Sequence, residues 1–160
     1  MAAVLTAAIV LSGCGAGSYV TSVADIPESA RLSKDDYKER LLETYQSWVK
    51  EAIYIASALF GEDPGKDISE VPACAERARA AVRDFGTFLP PKELDSFHDD
   101  ILKSLSVERD WLDAAERAAK AKQSGDSAAF DAAEKDIQQY ADTSGFPNAL
   151  FAMIHELNKS

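Results

Sequence analysis

The sequence predicts an all-α fold: an up-and-down bundle of four main helices followed by a short C-terminal helix. Three observations predict it. Apolar residues recur at steps of three and four from residue 33 onward, the spacing of one face of an α-helix. Glycine and proline fall at the ends of these periodic runs, where they punctuate helices. No stretch alternates apolar and polar residues over the length of a strand.

The first helix opens at Ser33-Lys34-Asp35-Asp36, where Ser33 can cap the free amides and Asp36 can reach back to it. Its stripe runs Tyr37, Leu41, Tyr45, Trp48, Ala52, Ile55, Leu59, and Gly61 with Glu62-Asp63-Pro64-Gly65 ends it. A second helix is expected from about Val71-Pro72 to Phe85, with Pro72 suited to the first turn. Its stripe of Cys74, Ala75, Ala78, Ala81 and Val82 is small, which predicts a closely approaching neighbour. Phe88-Leu89-Pro90-Pro91 then turns the chain. The third helix is expected from about Lys92 to Gln123, and only Glu108 interrupts its apolar stripe of Leu94, Ile101, Leu105, Leu112, Ala115 and Ala119. Gly125 stops it. Asp126 or Ser127 caps a fourth helix carrying Phe130, Ala133, Ile137 and Tyr140, which Gly145 ends. Asn148 is expected to cap the last short piece, with Leu150, Phe151, Ile154 and Leu157.

The chain has 160 residues, enough for one domain, and 46% of them are hydrophobic, enough for a core. A net charge of −10 repels phosphate backbones and anionic lipid alike, so no nucleic-acid partner is expected. Beyond the N-terminal segment no apolar run is long enough to predict a membrane crossing.

The N-terminal segment, MAAVLTAAIVLSGCGAGS, differs in character from the periodic chain that follows. Residues 2–13 carry no charge and are mostly Ala, Val, Leu and Ile. Such a run is too short to span a bilayer as a helix but suits the apolar core of a signal peptide. Leu11-Ser12-Gly13-Cys14 follows it directly and resembles the lipobox of bacterial lipoproteins. The resemblance covers residues 1–18 only. It implies diacylglyceryl transfer to the Cys14 thiol, cleavage between Gly13 and Cys14, and attachment to the cell membrane through lipid on the extracytoplasmic side. In a cell with two membranes the destination is the outer one, since Gly15 is not an acidic retention signal. Met1-Ala2-Ala3 lacks the basic residue that usually opens such a peptide, which a start codon further upstream would explain. The other reading makes this segment an apolar piece of the fold and Cys14 an incidental cysteine. On the lipoprotein reading, 1–13 is the signal peptide, 14–32 the lipidated cysteine with a flexible tether, and 33–160 the bundle. Eighteen flexible residues would give that tether a reach of roughly 23 Å.

Residues with reactive side chains are few. Cys74, the thiol left once Cys14 is acylated, lies on an apolar stripe, where a free cysteine behaves as a small hydrophobe. Asp95 and His98 share a helix face and are weak candidates for metal ligands. The resemblance to test is to ferritin-like di-iron bundles, which need paired Glu-x-x-His motifs. Here Asp95-Ser96-Phe97-His98 is a single degenerate copy, and Ala152 stands where His155 would need its acidic partner. Met153 with His155 makes a thin case for copper, and the acidic loop 61–70 lacks the ligand order of an EF-hand. No haem-attachment, nucleophile-elbow or phosphate-loop motif occurs. No metal and no cofactor is therefore expected. Tyr37, Tyr45 and Trp48 fall on the first stripe and read mainly as core, whereas Tyr54 falls off it and reads as a surface contact.

The leading expectation is a lipid-anchored envelope protein that is not an enzyme and binds another envelope protein or supports the cell surface. The alternative is a binder of a small apolar ligand in an interhelical pocket lined by Tyr45, Trp48 and Trp111. A metal-dependent activity around Asp95 and His98 ranks third.

Overall fold

The computed structural model describes residues 19–61 and 65–159. The signal segment 1–13, the cleavage pair Gly13 and Cys14, and Glu62 and Asp63 of the acidic loop lie outside the described residues. Those described form an all-α bundle: α1 Lys34–Phe60, α2 Val71–Asp84, α3 Asp95–Ser124, α4 Ser127–Thr143 and α5 Phe146–Leu157.

Local chemistry sets most of these boundaries. Ser33 Oγ accepts the Asp36 amide at 3.2 Å and starts α1. Pro72 sits in the first turn of α2, where its missing N–H costs nothing. Gly125 closes α3 with φ of 73°, a left-handed conformation that a Cβ would strain, and its N–H reaches back to the last turn. Asp126 Oδ1 accepts the Ala129 amide at 3.0 Å and starts α4. Two ends differ from expectation. Helix α4 stops at Thr143, and α5 begins at Phe146 with Pro147 in its first turn, so Asn148 is inside the helix and not its cap. Proline's fixed φ suits that first turn better than a later one.

Helix α1 packs along α2, α2 along α3, and α3 along both α4 and α5. The last two helices together fill the fourth position. At one end Phe130 of α4 meets Phe60 of α1, with ring centroids 6.3 Å apart. At the other end Lys34 and Lys38 of α1 donate to Lys159 O and Asn158 Oδ1 beyond α5, each at 2.7 Å.

The interior divides into two clusters along the axis. The upper one, formed by α2, the C-terminal halves of α1 and α3, and α4, is rich in alanine: Ala75, Ala78, Ala114, Ala115, Ala118 and Ala119 are all buried. Small side chains let these helices approach closely. The lower cluster is aromatic, built on Tyr37, Phe85, Phe88 and Phe146 with Leu41, Leu102 and Leu150. Trp48 touches both.

The expected tether is the largest departure from the sequence reading. Residues 19–32 are not free of the bundle; they lie on it as a strap. Ile26 is buried, and Tyr19, Val20, Val23, Ala30 and Leu32 pack against the lower cluster. Leu32 N–H donates to Leu89 O at 2.9 Å, Leu89 N–H to Ala30 O at 3.0 Å, and Val23 N–H to Asp99 Oδ1 at 3.0 Å. Helix length gives the reason. Helix α2 has 14 residues against 27 in α1 and 30 in α3, so it runs about 21 Å where α3 runs about 45 Å. It covers the upper cluster and stops. The lower cluster on that side is sealed by residues 85–94 and by the strap.

Candidate functional site

Arg31 locks the strap. Its guanidinium grips Asp95 with both Nη atoms, at 2.6 and 3.1 Å, and donates to Glu28 from Nε at 2.7 Å and to the Pro90 carbonyl. The guanidinium and the two carboxylates are charged and planar, the geometry in which such pairs are strongest. Asp95 is thereby committed to Arg31. His98, one helical turn on, is fully buried and faces elsewhere. Its Nε2 lies 3.0 Å from the Phe85 carbonyl, which can only accept, so Nε2 carries the proton. Its Nδ1 then accepts the Tyr37 hydroxyl at 2.7 Å. Both ring nitrogens are occupied, and burial lowers the imidazole pKa to about 4. Asp95 and His98 do not converge as ligands, and no group of three or more His, Cys, Asp or Glu that could hold a metal occurs among the described residues. Met153 is buried while His155 is exposed, so those two do not converge either.

The candidate pocket aromatics are placed differently from one another. Tyr45 and Trp48 stack with centroids 6.1 Å apart, and Phe146 sets its edge against Trp48 at 5.1 Å. Phe146 thus takes the space beside Tyr45 and Trp48 that a ligand would need. Trp111 packs, half-buried, against the alanine-rich cluster. Tyr54 is half-buried, accepting the Asp67 amide at 3.2 Å with Lys66 over its ring. Asp67 also caps the following turn by accepting from Ser69 N at 2.8 Å, a local role for one acid of that loop.

Two polar features take shape only in the fold. Glu108, the break in the α3 stripe, is buried and accepts a hydrogen bond from the Ser144 hydroxyl, which itself accepts the Phe146 amide at 3.3 Å. Burial pushes the Glu108 carboxyl up, and Ser144 offsets part of that rise. The relay ties α3 to the start of α5. Glu108 stood out in the sequence as a charge on an apolar stripe; Ser144 did not, because nothing local marks a serine between two helices.

The second feature is an open cleft of about 730 Å³ between α1 and α2. Arg40, Thr44 and Lys50 line it from α1, and Arg77, Ala81 and Asp84 from α2. Asp84 accepts from Arg40 and from Thr44, each at 2.7 Å. Arg77 donates to Glu51 at 2.8 Å and to Cys74 Sγ at 3.1 Å. Desolvation raises the Cys74 thiol pKa, so this cysteine is a packed side chain and not an exposed nucleophile. The cleft presents opposed charges, guanidinium and ammonium beside carboxylate, with a small-residue floor. It can dock a polar or charged surface; it assembles no nucleophile with a base.

Compared with protein families, with curated proteins and with solved structures, the chain matches none.

Proposed function

We propose that this protein is a lipid-anchored component of the cell envelope, held on the extracytoplasmic side, whose helical bundle works by binding another envelope component and not by catalysis. The observation that carries the reading is Leu11-Ser12-Gly13-Cys14 placed directly after an uncharged apolar run. The side chains add support. His98 and Cys74, the groups with the most versatile chemistry, are both taken up by the interior. What the bundle offers outward is the mixed-charge cleft between α1 and α2.

The test is the intact mass of the protein from a membrane fraction, beside a Cys14→Ala control. A chain beginning at Cys14 and bearing acyl groups is expected, with neither feature in the control. A full-length, unmodified chain would overturn the anchor. Crosslinking in the native cells, with and without a charge reversal at Arg40, then identifies what the cleft holds.

A further inference from the structure

We propose that the strap fixes which side of the bundle meets the membrane: the face formed by α2 and α3 is held against the lipid headgroups, and the opposite face, formed by α1 and α5, is turned away. This rests on the lipid-anchor reading of Cys14.

The Tyr19 ring lies under the Arg109 guanidinium of α3, 5.5 Å from its centroid, and Tyr19 also interacts with Arg83 of α2. Val20 sits on Gly86 so closely that a Cβ added there would come within 2.8 Å of it. Val23 is then bonded to Asp99 of α3. From Tyr19 onward the chain is therefore fixed to the α2–α3 face. Cys14 is five residues before Tyr19, so covalent geometry limits its distance from Tyr19 to about 18 Å. A two-layer helical bundle is about 20 Å across, so a leash of that length cannot carry the far side of the molecule to the lipid.

Charge does not choose this face: its ion pairs set four cations against six carboxylates, Asp113 and Glu116 on Arg79 among them, so the leash alone sets the orientation. Helix α5 packs on α3 and α1, across the bundle from α2, and Phe151, 66% exposed on it, marks the side turned away.

The experiment uses the full chain joined at the Cys14 thiol to a maleimide-linked lipid and inserted in vesicles of phosphatidylcholine with phosphatidylglycerol. A fluorophore is placed by a bio-orthogonal side chain at Ser106, exposed one turn from Arg109, or at Phe151, and energy transfer to an acceptor-bearing lipid is measured. With the faces about two helix diameters apart, transfer from position 106 should exceed that from position 151 by about twofold or more. Inserting about twenty Gly/Ser residues between Ser18 and Tyr19 should abolish the difference, because a flexible linker of that length lets the bundle tumble. Equal transfer from the two positions without the insertion would overturn the strap geometry. Because the lipid is attached chemically, that result is distinct from a failure of the anchor, which the native mass measurement reads by itself.

Discussion

His98 is held by two hydrogen bonds that together require its neutral form, and this makes stability depend on pH in a definite direction. In the unfolded chain the imidazole titrates near 6.5, whereas in the fold its pKa is about 4. Between those values the unfolded state takes up a proton that the folded state refuses. Stability from this group is full above 6.5, falls as pH drops, and falls no further below 4. Between pH 7.5 and 5 the loss should be about 2 kcal/mol, read by urea unfolding, and His98→Leu should flatten that slope. A slope unchanged by the substitution would mean His98 is not buried neutral. Glu108 acts with the opposite sign. Its carboxyl pKa is raised in the fold, so its contribution is present at low pH and becomes a penalty as pH rises through the folded value. Glu108→Gln keeps an acceptor for the Ser144 hydroxyl and removes the ionisable proton. It should raise stability at pH 7 by about 1 kcal/mol and leave it nearly unchanged at acid pH. A loss at pH 7 would show that the carboxylate itself is needed.

At the scale of elements, the strap depends on one fork. Arg31→Ala removes the two-point grip on Asp95 and the bond to the Pro90 carbonyl, with Asp95 left about one-quarter exposed. A cost of about 1–2 kcal/mol is expected in thermal or urea unfolding, and Arg31→Lys should recover only part of it because an ammonium cannot grip a carboxylate at two points. Recovery in full would reduce the contact to simple charge. The elements also show what the sequence makes legible. Ser33, Pro72, Gly125 and Asp126 act through neighbours within a few residues, so the ends they set could be read in order. The strap could not. Its Ser, Thr and Ala with a lone Pro follow no helical period and continue the Gly15-Ala16-Gly17-Ser18 run as a linker would, and what orders it is an uncovered aromatic cluster that exists only because α2 ends at Asp84 while α1 and α3 continue. Of the site residues, Cys74 is in the core as its stripe implies, and His98 joins it there. The cleft was not legible, because Arg40 and Thr44 lie on α1 and Arg77 and Asp84 on α2, with no spacing to connect the two helices.

Over the whole molecule, the two clusters differ in what seals them. The alanine-rich half is closed by helices alone, joined through the Gly125 turn and by Lys122 donating to the Leu59 carbonyl at 2.6 Å. The aromatic half is closed by α5 on one side and, where α2 is missing, by a strap whose most buried side chain is Ile26. Its interior is large and rigid, so losing one seal exposes several rings at once, whereas small side chains elsewhere leave little to expose. The two halves should therefore unfold with different ease. Ile26→Asp places an unpaired carboxylate in an apolar site, at a cost of about 3 kcal/mol or more. Native-state hydrogen exchange should then rise in α5 and in the first half of α1, while α4 and the second half of α1 exchange at nearly the original rate. A uniform rise across all five helices would mean that the bundle opens as a single unit and that the strap is no more than an edge of it.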